Sequence, residues 1–237
     1  MSLVSQASGG QTTIFVDELG VFPCSPIDYS TVLDSGPGRF LFHNPRAAYF
    51  AVGYAQLASI GVDSIASSQF FGFDQVAGKS NDWPAVGVDG ASLHGTWYYP
   101  CLSSLDWDSG LPNARFFALK VLASELGSDM KSVSPATMTP TPPPLAPHGQ
   151  ILGFGFTKVS TKQRVLLLVN SGDQDRSVSV AGGGAAGATH VFIDESHGHG
   201  IVQPGREKLN ATSVLTVGPF GISLVSWPSG LAGPNTD

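Results

Sequence analysis

The stretch that most constrains the fold is residues 12–22, TTIFVDELGVF, in which a short apolar run ends abruptly in two carboxylates. An apolar run of this length that is bounded by turn signals predicts a buried parallel strand. Because side chains alternate along a strand, we expect Glu18 to share a face with Ile14 and Val16, and Asp17 to lie on the opposite face. Two interpretations follow: a functional carboxylate at the end of a parallel strand, or an acidic turn that is merely solvated.

Composition narrows the class of protein. The chain has 237 residues with 29 Gly, 17 Pro and 42% hydrophobic residues, which is enough to bury a sizeable core and implies long loops. A net charge of −6 argues against a nucleic-acid partner, which would require a basic patch. No apolar run reaches the length of a membrane span, so we expect no membrane partner, and the first ten residues lack a signal-peptide pattern.

A helix and a second strand follow the first strand. Asn44-Pro45 predicts a helix start with Asn44 as the N-cap, and Gly61 predicts its end. Residues 62–71 then read as another buried strand. Strand, helix and strand in this order form a βαβ unit, which implies a parallel sheet.

Two long loops flank this unit, at residues 23–43 and 72–104. The second loop carries Trp83, Trp97 and Tyr98, and rings beside a carboxylate suit the faces of sugars; packing of the loops onto the body of the protein is an equal alternative. A second helix is predicted over residues 112–126, with Pro112 in its first turn and Arg115 in a structural role.

The pattern changes to β after a proline-rich segment, residues 132–148, that favours extended backbone. The strands beyond it are short and separated by Gly, Asp and Ser turns, which is typical of an antiparallel sandwich. We predict strands at residues 151–157, 164–170, 177–180, 189–193, 213–217 and 221–227.

Motifs for cofactors and metals are weak. Asp194, Glu195, His197 and His199 lie close in sequence, but without a third ligand at a recognised spacing they favour an exposed polar hairpin over a metal site. The glycine-rich residues 182–187 lack the pattern of a phosphate-binding loop. We therefore predict no cofactor and no metal.

Two further features bear on compartment. Cys24 and Cys101 either pair or remain free thiols, and the sequence leaves both options open. Residues 210–212, Asn-Ala-Thr, fit the glycosylation sequon, which is weak support for secretion. The localisation stays open, with an extracellular or lysosome-like compartment as one option for a parent protein.

Several motifs taken together resemble the C-terminal part of a retaining glycoside hydrolase of the (β/α)8 clan, closest to the β-xylosidase/α-L-iduronidase family. The motifs that carry the resemblance are VDELG, SQFFG, LDWDSGLPNAR, VLLLVNSG and VGPFGISLVSW. The resemblance implies an α+β fold: a partial (β/α)8 barrel, consisting of its last two βα units, followed by an antiparallel β-sandwich. Its domains would be residues 1–131 for the barrel portion, 132–149 for the linker and 150–230 for the sandwich.

The resemblance also implies a site. Residues 14–17 correspond to barrel strand seven, residues 62–71 to strand eight, and Glu18 stands at the position of the catalytic nucleophile. Substrate would be carbohydrate, bound by aromatic residues near the strand ends. The predicted binding residues are Phe70, Phe71, Trp83, Trp97 and Tyr98.

The chain departs from the family in what it lacks. Six of the eight barrel strands and the Asn-Glu pair that brings the acid/base carboxyl are absent from the sequence. We therefore expect a glycosidase-derived fragment that is inactive alone, with the missing N-terminal barrel portion as a partner. The alternative is a non-catalytic carbohydrate-binding or structural β-sandwich module in which Glu18 has no role.

Overall fold

A computed structural model describes residues 13–19, 44–67, 104–105, 110–127, 130–133, 150–179, 186–210 and 214–228. These residues form two helices and ten strands. In chain order the elements are β1 (Phe15–Leu19), α1 (Asn44–Ser59), β2 (Ser64–Ser67), α2 (Ala114–Glu125), β3 (Met130–Val133), β4 (Ile151–Lys158), β5 (Arg164–Asn170), β6 (Arg176–Ser179), β7 (Thr189–Ile193), β8 (Gly205–Lys208), β9 (Val214–Val217) and β10 (Ile222–Ser226).

The N-terminal elements form a parallel unit. Strands β1 and β2 pair in parallel as a two-stranded sheet, and α1 connects them along the chain. The predicted order of strand, helix and strand with parallel pairing is confirmed. Leu19 packs on α1, where its side-chain carbons lie 3.5–3.6 Å from the place a β-carbon would occupy on Gly53.

Helix α1 begins at Asn44 as predicted, but the cap role of Asn44 and the placement of Pro112 in the first turn of α2 need correction. Asn44 already lies within α1, and its side-chain oxygen accepts no hydrogen bond in the described part of the chain, although the residue is only 3% exposed. An N-cap needs non-helical backbone to direct its oxygen at the first-turn N–H groups, and a helical residue does not provide this geometry. At the second helix, Asn113 is the cap, while Pro112 precedes the helix and forms an isolated bridge with Leu105.

The C-terminal elements form antiparallel sheets. A six-stranded sheet has the order β3-β4-β5-β10-β7-β8, and β6 pairs with β9 in a separate two-stranded sheet. Two predicted strands, β5 and β7, have the bounds that the sequence indicated, and the other four differ by one residue at one or both ends. Strands β3 and β8, at the two edges of the large sheet, were not predicted.

The large sheet is buried on both faces. Side chains of β5 and β10 alternate between two apolar clusters. One cluster joins the sheet to both helices and includes Leu167, Leu224 and Phe117. The other joins the opposite face to β6 and β9 and includes Leu168 and Val225. The chain is thus a mixed α/β protein in which one antiparallel sheet has helices on one side and a smaller sheet on the other.

Neither described helix is long and apolar enough to cross a membrane. Helix α1 carries two tyrosines of different exposure: Tyr49 is exposed and Tyr54 is half-buried beside the helix-facing cluster. Burial raises the pKa of the Tyr54 phenol above its ordinary value of 10.0, because desolvation disfavours the phenolate.

The raised pKa of Tyr54 predicts a loss of stability in alkali. Above pH 10 the unfolded chain releases the phenol proton while the folded chain retains it, so the free energy of unfolding falls as pH rises through the folded-state pKa. We expect Tyr54→Phe to reduce this alkaline loss when thermal unfolding is followed between pH 8 and pH 11. Tyr49→Phe, on the same helix, is the matched control and should keep the wild-type loss; equal behaviour of the two variants would contradict the assignment.

Candidate functional site

The candidate site begins at a register shift in β1. Phe15 pairs with Ser64 and Val16 with Ile65, but Leu19 pairs with Ser67, so β1 contains one more residue than β2 between the last two pairs. A β-bulge of this kind locally interrupts the alternation of side chains and is common beside active sites. Asp17 and Glu18, the two carboxylates that the sequence analysis placed at the end of this strand, lie between the Val16 and Leu19 pairs, within the bulge.

The bulge changes how the faces of β1 are assigned. Because Ser67 is two residues after Ile65, its partner Leu19 shares a face with Val16, although the two are three residues apart. The strict period of two that the sequence suggested therefore does not hold up to the end of β1. The backbone of Glu18 lies within β1, while its side chain lies outside the described part of the structure, so its catalytic role stays a prediction.

Backbone contacts fix the start of the parallel pair. The Ile14 amide donates a hydrogen bond to the Asp63 carboxylate at 2.8 Å, and the Asp63 amide donates to the Ile14 carbonyl at 2.9 Å. These two bonds close the β1–β2 pair at the end opposite to the bulge. Asp63 thus helps to fix the register of the β1–β2 pair.

A buried arginine fixes the other end. Arg115, in the first turn of α2, is 2% exposed, and its Nη2 donates to the Leu19 carbonyl at 3.3 Å. Its guanidinium carbon also lies 5.5 Å from the centre of the Phe50 ring on α1, a cation–π distance. The structural role predicted for Arg115 is therefore supported by specific contacts: the residue joins the end of β1 to both helices.

The position of Arg115 depends on the cap of α2. Asn113 has extended backbone, and its Oδ1 accepts hydrogen bonds from the Arg115 amide at 3.0 Å and the Phe116 amide at 3.3 Å. The Asn113 amide in turn donates to the Ser104 carbonyl at 3.0 Å, which attaches the helix start to the segment before it. This chain of contacts holds the helix N-terminus beside the end of β1.

The loop after β7 packs against the same helix. The Gly200 amide donates to the Pro112 carbonyl at 2.7 Å, and Lys120 Nζ donates to Gln203 Oε1 at 3.3 Å. One turn farther along α2, Glu125 accepts a hydrogen bond from Arg206 of β8. The antiparallel part of the chain therefore supports α2 along its length.

The acidic and histidine-containing residues in this loop bond locally. His197 Nδ1 lies 3.0 Å from Asp194 Oδ1, and His199 Nε2 lies 2.9 Å from the Glu195 carbonyl oxygen. Within the described ranges, no group of three or more His, Cys, Asp or Glu side chains is placed to hold a metal ion.

The remaining predicted site residues lie outside the described residues. These are Phe70, Phe71, Trp83, Trp97 and Tyr98, together with Cys24 and Cys101. Sequence reasoning gave Arg115 a structural role but did not identify its contact with the carbonyl of Leu19. It also missed a pair in the large sheet, in which Nδ1 of the buried His190 lies 2.8 Å from Oε1 of the exposed Glu207. Only the pairing of β7 with β8 brings these two residues opposite each other.

Comparisons with known proteins identify the fold. No protein-family model matches the chain, and no curated protein matches it. Among solved structures, an endoxylanase of glycoside hydrolase family 30 from Clostridium papyrosolvens is similar to 95% of this chain, with 12% identity and a TM-score of 0.52. A family 30 subfamily 8 xylanase from Clostridium acetobutylicum matches 93% of the chain with 9% identity and a TM-score of 0.51. An arabinofuranosidase matches 95% of it with 12% identity and a TM-score of 0.50.

These similarities concern part of each larger protein. The chain spans 44%, 43% and 45% of the three solved structures, respectively, so it corresponds to less than half of each. At such low identity the likeness shows a shared fold. The chain therefore has a fold found in glycoside hydrolases.

The cap of α2 can be tested directly. Asn113→Ala removes the acceptor for two first-turn amides, and we expect the free energy of unfolding to fall by about 0.5–2 kcal/mol in urea denaturation. Asn113→Asp keeps an oxygen acceptor and serves as the matched control, with a loss well below that of the alanine variant. Equal losses in the two variants would show that the cap does not stabilise the helix.

Proposed function

We propose that this chain is the C-terminal portion of a retaining glycoside hydrolase, comprising the last two βα units of a (β/α)8 barrel and a β-sandwich. Glu18 is the catalytic nucleophile in this proposal. The observation that carries it is the parallel β1–α1–β2 unit whose first strand has Asp17 and Glu18 at a bulge near its carboxyl end. Barrel enzymes place their catalytic residues at this end of the strands.

The contacts around the strand end support the proposal. A nucleophile works only if its backbone is held in a fixed position relative to substrate. The Leu19 carbonyl, one residue after Glu18, accepts a hydrogen bond from the buried Arg115, and Asp63 closes the other end of the strand pair. The strand that carries Glu18 is therefore anchored at both ends.

The second carboxyl of the reaction comes from another part of the barrel. Retaining enzymes place two carboxyl groups about 5–5.5 Å apart, so that one attacks the anomeric carbon while the other protonates the leaving oxygen. Among the described glutamate side chains, Glu125 pairs with Arg206, Glu207 pairs with His190, and Glu195 is exposed in the loop after β7. The contacts of Glu125 and Glu207 join α2, β7 and β8 to one another. This supports an acid/base residue that lies outside these elements, and therefore a chain that is inactive alone.

The exposed face of the parallel pair supports a barrel partner. Parallel strands are normally covered on both faces, and α1 covers only the face that carries Leu19. Phe15, next to Val16 and thus on the opposite face, is 56% exposed. In the described part of the chain β1 and β2 pair only with each other, so further barrel strands would cover Phe15 and extend the sheet.

The substrate in this proposal is a glycan that contains xylose or arabinose. The solved structures with this fold are named as endoxylanase, xylanase and arabinofuranosidase, which supports this class of sugar. The aromatic residues Phe70, Phe71, Trp83, Trp97 and Tyr98 are proposed to bind it, since the first two end the predicted strand of residues 62–71 and the other three lie in the loop after it.

The nucleophile assignment predicts a specific loss of activity. In a longer polypeptide that supplies the other barrel strands, Glu18→Gln should reduce hydrolysis of aryl β-xylosides and aryl α-L-arabinofuranosides by orders of magnitude, because no covalent glycosyl intermediate can form. Asp17→Asn, in the same bulge, is the matched control and should retain most activity. Turnover that survives Glu18→Gln, or is lost equally in both variants, would refute the assignment.

A second function is a non-catalytic carbohydrate-binding or structural β-sandwich module. It is favoured by the separate apolar cluster between the large sheet and β6–β9, which gives the antiparallel part a core of its own. If this function holds, the full chain binds xylo-oligosaccharides in calorimetric titrations, and Glu18→Gln leaves the affinity unchanged. Absence of binding by the full chain, or its loss in Glu18→Gln, would contradict it.

A further inference from the structure

The carboxyl end of β1 is the part of the parallel pair that the sheet itself fixes least. Phe15 and Val16 pair with consecutive residues of β2, but the register then slips before the Leu19 pair. The extra residue of a bulge has no ladder partner, so fewer hydrogen bonds hold its backbone than in a regular strand. Glu18 lies in this interval. The position of its backbone therefore depends on contacts from outside the sheet.

A charged side chain from α2 supplies such a contact. Nη2 of Arg115 donates to the carbonyl oxygen of Leu19 at 3.3 Å, and Arg115 is 2% exposed. A guanidinium is costly to remove from water, but its hydrogen bonds are stronger than those of a neutral donor. Burial also keeps away water that would compete for the carbonyl. A buried arginine directed at a main-chain carbonyl is therefore suited to fixing the backbone at the end of a strand.

The guanidinium is itself held from two further directions. Its central carbon lies 5.5 Å from the centre of the Phe50 ring on α1. The backbone of Arg115 is held by Asn113, whose Oδ1 accepts a hydrogen bond from the Arg115 amide at 3.0 Å. Phe50 and Asn113 are both buried. Because the side chain is held at its base by a helix cap and at its head by a ring, it keeps the Leu19 carbonyl at a defined place.

The antiparallel part of the chain supports the same helix start. The Pro112 carbonyl, just before the cap, accepts a hydrogen bond from the Gly200 amide at 2.7 Å. The Asn113 amide donates at 3.0 Å to the carbonyl of Ser104, a residue with no exposure to solvent. Contacts therefore run without a gap from the loop after β7, through the start of α2 and Arg115, to the end of β1.

We propose that Arg115 is a positioning residue for the nucleophile: it holds the bulged end of β1, and with it Glu18, in the place that the reaction requires. The proposal rests on the proposed function, because it takes Glu18 as the nucleophile. Arg115 acts through the backbone of Leu19 and makes no contact with the glycan. Since displacement of a reacting group by about 1 Å can cost roughly 10²-fold in rate, the effect of Arg115 falls on the chemical step and leaves binding of the glycan unchanged.

The first test follows the strand end in the full chain by amide hydrogen exchange. Arg115→Met removes the donor and keeps an unbranched apolar side chain, and we expect peptides that cover β1 and β2 to exchange about tenfold faster or more. Peptides of β5 and β10 should keep their wild-type rates. Arg115→Lys retains the charge and a donor, and should restore part of the protection. Lys120→Met is the matched control and should exchange as the wild type does, because it removes from the same helix a cation that also lies over a ring, 5.8 Å from the centre of Phe117.

A second variant keeps the test decisive if Arg115→Met does not fold. Asn113→Ala loosens the helix start and leaves the guanidinium intact, so exchange in β1 should rise, whereas Asn113→Asp should stay near the wild type. Unchanged exchange in β1 of a folded Arg115→Met, or an equal rise in β5 and β10, would overturn the proposal. If only Asn113→Ala folds, unchanged exchange in its β1 would overturn it as well.

The second test separates positioning from a merely structural role. In the longer polypeptide that supplies the other barrel strands, Arg115→Met should lower kcat on aryl β-xylosides by about 10- to 100-fold and leave KM within about twofold. Arg115→Lys should recover part of kcat, and Lys120→Met should keep the wild-type value. A raised KM with unchanged kcat would overturn the positioning role.

Glu18→Gln, measured beside these variants, distinguishes the two ways of failing. If Glu18→Gln keeps its turnover, the proposed function is wrong, and the role of Arg115 in catalysis is wrong with it. If Glu18→Gln is inactive while Arg115→Met keeps the wild-type kcat, the proposed function stands and the positioning role alone is overturned.

Discussion

The double burial of β5 and β10 is the constraint on which the other elements depend. Val165, Leu167 and Val169 of β5 face the helices, whereas Leu166 and Leu168 face the small sheet. A strand that is apolar on both sides cannot lie against solvent, since each fully buried aliphatic side chain contributes about 1.5–3 kcal/mol relative to exposure. The β5–β10 pair therefore requires a layer on each face, and α1, α2 and the β6–β9 pair supply these layers.

A buried asparagine joins the two antiparallel layers at one end. Asn170, the last residue of β5, donates from Nδ2 to the carbonyls of Gln174, Val217 and Gly218 and accepts from the Gly172 amide. These bonds satisfy a side chain that has no exposure to solvent. The turn into β6 and the end of β9 are thereby fixed to the large sheet by the same side chain. The small sheet is thus held to the large sheet by directional hydrogen bonds as well as by apolar packing.

The sequence predicted the elements whose burial is strong and regular, and missed those whose role depends on pairing. The apolar run of β5 and the β-branched run of β7 gave their bounds directly. Strand β8, GREK, is charged because it is an edge strand, and short charged edges resist recognition by hydrophobic pattern. The bulge in β1 carries no local signal, because it exists only relative to the register of β2. For the same reason the contact between Arg115 and the Leu19 carbonyl, 96 residues apart, required the fold.

The antiparallel part and the parallel part of the chain differ in how completely the faces of their sheets are covered. The antiparallel part has a layer on each face of its main sheet, whereas the parallel pair has α1 on one face and exposed Phe15 on the other. The acidic residues at positions 17 and 18 lie in this second, half-covered region. Additional parallel strands would cover Phe15 and also bring side chains from their own carboxyl ends to the same edge of the sheet. In the proposed glycosidase, the strands that complete the parallel sheet therefore also supply the second catalytic carboxyl group.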